Sequence, residues 1–275
     1  EKSYKKAIEL KQDYTETHYN LGNVLVELRK FDEAEACFKK TIELKPDFAQ
    51  AHNNLGLRML DLHKLEEAEV YFKKATKLNP DYSEAYNNLG FIQKLLKKLE
   101  DSLTSYNHAY SLKPDLDFLL GTLLHLKMYF CIWDDLTKNL MELTRKINNR
   151  EKVSPTFPLL SLIDDSNIHK KSAETFSRTQ FPRSNIFPKI SHYKNHQKIR
   201  IGYFSADFKN HAVSRLITEL FETHNRKKFE IHAFSFGLNT KDEFNTRIKK
   251  GVDYFYNVQS MLDYVLVKYA RSLEI

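Results

Sequence analysis

One polar loop in the last third of this 275-residue sequence carries side chains that are suited to proton transfer. Residues 205–213 read SADFKNHAV and include Asp207, Asn210 and His211, directly after a compact apolar run. Imidazole titrates nearest to neutral pH, so a neutral His211 could accept the proton that a hydroxyl group loses when it attacks an electrophile. A position at a helix N-terminus would favour this neutral ring. His211 could equally only cap the helix, and Asp207 could either orient His211 or be an ordinary turn aspartate.

Several other kinds of site are disfavoured, because this loop and the rest of the sequence lack the motifs that those sites need. The loop contains no glycine, whereas dinucleotide and P-loop sites need a glycine-rich turn between the first strand and helix. The sequence also has no nucleophile elbow, no pair of histidines at metal-ligand spacing and no cysteine pair. We therefore expect neither a bound cofactor nor a metal.

The elements around the loop alternate between strand and helix. The apolar run Ile199–Ser205 is typical of a buried strand, and the next helix, over 213–224, would turn its apolar side chains to one face. Those apolar side chains are Leu216, Ile217, Leu220 and Phe221. Strands are predicted over 229–235 and 254–258, and helices over 241–250 and 260–273. Such alternation predicts parallel strands and the opening half of a doubly wound α/β domain over 198–275, which we expect to continue beyond Ile275.

The first part of the sequence has a regular period. Pro46, Pro80 and Pro114 are 34 residues apart, which is the period of tetratricopeptide repeats. Leu-Gly pairs, large aromatic residues and small residues keep the same register. We predict an α-helical solenoid over residues 1–116, with complete repeats that begin near Thr15, Ala49 and Ser83. Residues 1–12 resemble the tail of a further repeat, so we expect the chain to be truncated at its N-terminus as well.

A column of asparagines follows the same period. Asn20, Asn54 and Asn88 each precede a Leu-Gly pair, which places them on the first helix of each repeat, toward the expected concave face. Side-chain amides both donate and accept hydrogen bonds, so this column could hold the backbone of an extended peptide. The alternative is that each asparagine bonds only within its own repeat.

Between the two regular regions, residues 117–197 are predicted to form a helical cap and a linker. Apolar periodicity continues over 118–147, one helix is predicted over 167–180, and residues 183–197 are expected to form an extended connector.

Composition narrows the range of partners. The net charge is +7, but basic and acidic residues are interspersed, so we expect neither nucleic-acid nor membrane binding. The most apolar stretch, 118–133, is interrupted by polar residues and is shorter than a bilayer crossing. Cys37 and Cys131 are expected to be core or partly buried thiols, and the absence of a disulfide framework fits a reducing compartment, the cytoplasm.

A family resemblance joins these features. Residues 198–237, KIRIGYFSADFKNHAVSRLITELFETHNRKKFEIHAFSFG, resemble the start of the catalytic region in the protein O-linked N-acetylglucosamine transferase family, including its bacterial and SPINDLY-like members. Tandem tetratricopeptide repeats ahead of this segment are the same family's architecture. The Ser205–His211 motif and the order of the domains carry the resemblance.

The resemblance implies a GT-B glycosyltransferase that moves a sugar from a uridine-diphosphate donor to Ser or Thr hydroxyls of proteins, with inversion and without a required metal. It places His211 beside the reaction centre, and it gives the repeats the role of holding the protein acceptor. From their place in the same polar loop, we assign Asp207 to the catalytic site and Asn210 to substrate binding. The donor, UDP-N-acetylglucosamine, would bind in a second domain beyond Ile275, so we expect this chain to be inactive alone. The alternative is a non-catalytic scaffold whose repeats bind partner proteins.

Overall fold

A computed structural model describes residues 1–10, 13–182, 187, 190, 193, 196–259, 261 and 263–275. The chain divides into two compact units, Glu1–Ser184 and Asn185–Ile275. The predicted boundary at residue 116 does not separate compact units, because the helices that follow pack directly on the last repeat. Most of the predicted connector, 183–197, lies outside the described residues.

Helices alone build the first unit where it is described. The helices of the repeat region are α1 (Lys2–Leu10), α2 (Thr15–Glu27), α3 (Phe31–Leu44), α4 (Ala49–Asp61), α5 (Leu65–Leu78), α6 (Ser83–Leu95) and α7 (Leu99–Leu112). The first helices of the three repeats begin at Thr15, Ala49 and Ser83, as predicted. Each second helix ends just before the loop that contains the periodic proline, because the residue before a proline is pushed away from helical conformation.

The periodic glycines explain why each pair of helices packs so closely. A Cβ atom added at Gly22 would lie 2.6 Å from the Phe38 ring, and one at Gly56 would lie 2.7 Å from the Phe72 ring. Both rings are fully buried. The missing side chain therefore makes the space that the aromatic ring of the next helix fills, and Gly90 repeats the arrangement with Tyr106.

Four more helices complete this unit: α8 (Leu119–Tyr129), α9 (Leu136–Asn148), α10 (Thr156–Leu162) and α11 (Ser166–Gln180). The predicted helical stretch 118–147 is thus two helices, and α10 was not predicted. Leu119 and Leu123 of α8 join Tyr106 and Ala109 of α7 in one buried cluster. The cap is therefore part of the same packed body as the repeats.

The second unit is an α/β layer. Its strands are β1 (Ile199–Ser205), β2 (Phe229–Ser235) and β3 (Tyr254–Asn257), and its helices are α12 (Ala212–Thr223), α13 (Glu243–Gly251) and α14 (Asp263–Ser272). The strands lie in the order β1-β2-β3, and both pairings are parallel. The predicted architecture, a tetratricopeptide solenoid followed by a partial Rossmann-like layer, is confirmed.

Two predictions about burial were wrong, those for β1 and Cys131, and α12 buries a different stripe from the one that its apolar residues form. β1 is half-buried, with Ile199 exposed, because it lies at the edge of the described sheet while β2 takes the buried central position. On α12 the buried stripe is Ser214, Thr218 and Phe221, and Leu216 faces solvent at 82% exposure. Cys131 is exposed and not a core thiol.

In the part of the chain that the structure describes, no helix combines the length and the apolar character that a membrane crossing needs.

Candidate functional site

The polar edge of the sheet lies where the three parallel strands end. Ser205, Ser235 and Asn257 are in register at the last positions of β1, β2 and β3. In open parallel sheets, ligands bind outside the carboxyl ends of the strands. The loop from Ser205 to His211 leaves β1 at this edge, which is the position that the sequence predicted for a site.

His211 is the N-cap of α12. Its Nδ1 atom accepts a hydrogen bond from the backbone N–H of Val213 at 3.2 Å, and its backbone is extended, as is usual for a cap. The imidazole side chain is 45% exposed. The capping alternative therefore describes the local geometry, and the exposed ring remains accessible to a substrate.

This hydrogen bond fixes which nitrogen of the ring carries the proton. Because Nδ1 accepts from Val213, the neutral ring holds its proton on Nε2. The exposed ring can then donate a hydrogen bond from Nε2 to a bound molecule, whereas its one acceptor nitrogen is already used by the cap. The geometry thus favours a donor role for His211 over a proton-accepting role.

Asp207 and Asn210 lie on the same loop but do not bond directly to the imidazole. The Asp207 carboxylate is 3.7 Å from Nδ1 of His211, which is too far for a hydrogen bond. The backbone N–H of Asp207 donates to the Ser205 hydroxyl at 3.0 Å, and Asn210 accepts from Arg215 at 3.1 Å. Both residues are therefore tied into the loop, and their assignment to the site stays a prediction.

Two residues that the sequence analysis did not single out hold this loop in place. Asn245, which is buried, donates from Nδ2 to the carbonyl of Phe208 at 2.6 Å. Asp242 caps α13 through the N–H of Asn245 and also accepts from the backbone N–H of Asn210. The start of α13 thus positions the loop that carries His211.

The charge of Asp242 is stabilised by these contacts. The Thr240 hydroxyl and the backbone N–H groups of Asn245, Asn210 and Phe244 all donate to the carboxylate and hold the pKa of Asp242 below its ordinary value. The carboxylate is therefore ionised at neutral pH and keeps its cap. Gly237 completes the anchor, since a Cβ there would overlap the Ala206 carbonyl of the same loop.

The predicted asparagine column forms part of a chain of amides in the first unit. Asn88 donates to Asn53 at 2.9 Å, Asn53 donates to Asn54 at 3.4 Å, and Asn54 donates to Asn23 at 2.8 Å. We call these four residues the amide row. It joins α6, α4 and α2: the Asn88–Asn53 and Asn54–Asn23 bonds cross between repeats, and the Asn53–Asn54 bond lies within α4. The predicted residues Asn54 and Asn88 therefore do not bond only within their own repeats.

Asn20 lies outside the amide row, and no other described residue hydrogen-bonds to its side chain. The sequence analysis missed Asn23 because its column does not repeat, since the residues one and two periods later are Leu57 and Phe91. It missed Asn53 because that column is incomplete, with Asn87 one period later but Tyr19 one period earlier. The asparagines belong to the first compact unit and His211 to the second.

Within the described ranges, no group of three or more His, Cys, Asp or Glu side chains is arranged to hold a metal ion.

Known protein families match both the segment that carries the His211 loop and the repeats that carry the amide row. Residues 147–265 match the model of glycosyl transferase family 41, and residues 15–48, 49–82 and 71–104 match tetratricopeptide repeat models. The Ser205–His211 loop and its anchors Gly237, Asp242 and Asn245 all fall within the family 41 match.

Two curated relatives share part of the sequence. The probable UDP-N-acetylglucosamine–peptide N-acetylglucosaminyltransferase SEC of Arabidopsis thaliana is 26% identical over 166 residues, which are 53% of this chain and 16% of that protein. The UDP-N-acetylglucosamine–peptide N-acetylglucosaminyltransferase of Caenorhabditis elegans is 28% identical over 68 residues, which are 25% of this chain and 6% of that protein. The chain thus spans a small part of the length of these relatives.

Among solved structures, a mutant of the Thermobaculum terrenum O-GlcNAc transferase aligns with 94% of this chain and 44% of its own, at 19% identity and a TM-score of 0.44. The sequence matches carry the assignment. The chain contains tetratricopeptide repeats followed by a segment of a glycosyl transferase family 41 domain, and it is homologous to O-GlcNAc transferases of the SEC type.

Proposed function

We propose that this chain is the acceptor-binding part of a protein O-glycosyltransferase, which transfers N-acetylglucosamine from a UDP-sugar to Ser or Thr hydroxyls of proteins. The observation that carries the proposal is the order of the matches, in which tetratricopeptide repeats precede a family 41 segment. The names of the two curated relatives supply the donor and the peptide acceptor. Transfer proceeds without a metal ion in this proposal.

In the proposed reaction, His211 lies against the reacting groups and donates a hydrogen bond from Nε2. A fixed donor in a partly enclosed site stabilises negative charge that develops on an oxygen in the transition state. The cap to Val213 supports this role, since it fixes both the tautomer and the direction of the ring. Asp207 and Asn210 shape the loop around this group.

The amide row and Asn20 hold the acceptor. Each amide in the row uses one hydrogen-bonding group on its neighbour and retains further donor or acceptor capacity, so an extended peptide can bond to the row through its backbone. The row then binds peptides with little dependence on their side chains, as an enzyme with several protein substrates requires.

The proposal is tested with the whole polypeptide that the reading frame of these residues encodes. It is incubated with UDP-N-acetylglucosamine labelled in the sugar and with a protein extract as acceptor, and label on protein is counted. We expect transfer that β-elimination releases, as O-linked sugar is released. Transfer from another sugar nucleotide alone would overturn the donor assignment, and transfer from none would overturn the enzymatic function.

The scaffold alternative has one specific observation in its favour, because the amide row would bind peptides whether or not the chain takes part in catalysis. Peptide binding that coexists with a complete lack of transfer would favour it. In either case we place the protein in the cytoplasm, and the two free thiols, Cys37 and Cys131, are in keeping with a reducing compartment.

A further inference from the structure

A cavity of about 300 Å³ lies between the first two repeats. It is bounded by α2 and α4, with α3 beneath, and its volume is at the small end of the range of ligand pockets, about 300–1,000 Å³. The apolar part of its lining is Val26, Phe31, Ala34, Phe38 and Leu57. Val26 and Leu57 are exposed at 43% and 39%, so the cavity opens to solvent beside apolar side chains.

The polar lining of the cavity is predominantly acidic. Among the described residues that line it, Arg58 is the one cation, and its guanidinium is 3.1 Å from Asp32 and 3.6 Å from Glu35 and lies over the Phe31 ring. Arg58 is therefore already neutralised by its neighbours.

The two remaining carboxylates of the lining have no such neighbour. Glu27 ends α2 and Asp61 ends α4, both are exposed, and neither makes an ion pair or hydrogen bond with any described residue. In a chain of net charge +7, two uncompensated carboxylates beside an apolar cavity are complementary to a cation with an apolar stem. Lys and Arg side chains have this character, since their aliphatic part packs on apolar surface while the charged end stays near water.

The cavity also adjoins the groups that bind the peptide backbone in the proposed function. Asn23 and Asn54, which form one end of the amide row, line it. Nε of Arg58 is buried and has no hydrogen-bond acceptor among the described residues.

This charge arrangement occurs at one junction of the repeats. One period after Glu27 and Asp61 the sequence has Asp61 and Leu95, so the second junction lacks the pair of carboxylates. A basic side chain would therefore be recognised at a single place along the amide row and would fix the register of the peptide.

We propose that the cavity between the first two repeats binds one Lys or Arg side chain of the acceptor peptide, with Glu27 and Asp61 facing its charge. The inference rests on the proposed function of the amide row and adds a sequence preference to it. It predicts that acceptors carry a basic residue at a fixed distance from the modified hydroxyl.

The test uses the 275-residue chain and fluorescein-labelled extended peptides of Ser, Thr and Ala, with Lys, norleucine or Glu placed at each position in turn. Binding is followed by fluorescence anisotropy. We expect one position at which Lys binds about fivefold tighter than norleucine, a preference that rising salt reduces. The double variant E27Q/D61N should lose the preference and leave the affinity for the norleucine peptide unchanged.

The matched control is E66Q/E100Q, which removes the same charge from two exposed sites at the starts of α5 and α7 and should keep the preference. Equal binding of Lys and norleucine peptides at every position would overturn the inference and leave the amide row intact. A preference that survives E27Q/D61N would also overturn it. Failure of the chain to bind any of the peptides would overturn the proposed role of the amide row itself.

Discussion

Nδ1 of His211 accepts the N–H of Val213 at 3.2 Å, and this contact makes the candidate catalytic residue also the cap of α12. A cap contributes about 0.5–2 kcal/mol to stability. Any substitution of His211 therefore changes the chemistry and the stability of α12 together, and the two effects have to be separated by the choice of variant.

Asparagine separates them, since it caps helices well but has no imidazole. We expect H211A to lower the free energy of unfolding by about 1 kcal/mol and H211N to leave it nearly unchanged. In the whole polypeptide, both variants should reduce sugar transfer, on the order of a hundredfold. Urea unfolding measures the free energy of unfolding, and transfer of the labelled sugar measures the activity. Full transfer by H211N would show that His211 acts only as a cap.

Asn245 should act on the loop through the Phe208 carbonyl. N245D keeps the shape of the side chain but replaces the donor at 2.6 Å by an acceptor, which leaves a buried carbonyl unsatisfied at a cost of about 1–3 kcal/mol. We expect faster hydrogen exchange at the amides of Asp207 and Val213, which bond within the loop. Thr246, exposed on the same helix, offers the control T246S. Unchanged exchange in N245D would refute the positioning role.

Asn20 and Asn88 occupy the same position of their repeats, but the amide row predicts that their replacement by alanine changes stability unequally. N88A breaks a 2.9 Å bond to Asn53 and should cost about 1 kcal/mol, while N20A should lie within about 0.5 kcal/mol of the parent chain. Both should weaken the binding of extended peptides, with helix content retained by circular dichroism. Equal stability losses would contradict the row as described.

The contact between Gly56 and Phe72 predicts that the effect of G56A on stability depends on the Phe72 ring. Alanine is favoured over glycine in a helix by about 1 kcal/mol, but the overlap at 2.7 Å should cost about 1–3 kcal/mol, so G56A destabilises the chain. In an F72L background the ring is gone, and G56A should become stabilising. Denaturant unfolding of the four proteins measures the coupling. Additive effects would mean that the ring does not set the helix spacing.

Glu69 predicts an acid-dependent loss of stability. Its burial alone would raise the pKa, but the ammonium groups of Lys73 at 2.8 Å and Lys98 at 2.5 Å outweigh burial and hold the pKa of Glu69 below the ordinary value of 4.5. The unfolded chain therefore takes up the proton first as pH falls. The stability advantage over E69Q should be complete above pH 4.5 and should shrink below it. A constant difference down to the lowest accessible pH would contradict this ion pair.

The period of the sequence was sufficient to predict the repeats, because the same few residues determine each one. The starts at Thr15, Ala49 and Ser83 follow from a proline, a Leu-Gly pair and an aromatic ring that recur together. α10 was missed because Pro155 and Pro158 lie at its start and inside its short span, where prolines normally indicate a break.

Burial in the α/β unit could not be predicted in this way. The apolar run of β1 is typical of a central strand, but strand order is a tertiary property, and β2 is central. The same limit applies to the candidate site: His211 and its loop follow from local pattern, whereas Asp242 and Asn245 reach that loop only because α13 begins beside it. No local signal connects residues that are 37 positions apart.

The amide row also has a polarity. Both bonds that cross between repeats are donated from the later repeat to the earlier one, and amide hydrogen bonds in sequence polarise one another. Among the described residues, none accepts from the side-chain N–H groups of Asn23 at one end, and none donates to the side-chain carbonyl of Asn88 at the other. If the amide row holds an extended peptide as proposed, a strand laid along the repeats from N- to C-terminus would meet a different set of partners from the same strand reversed. The row would then favour one direction of the polypeptide whatever its side chains.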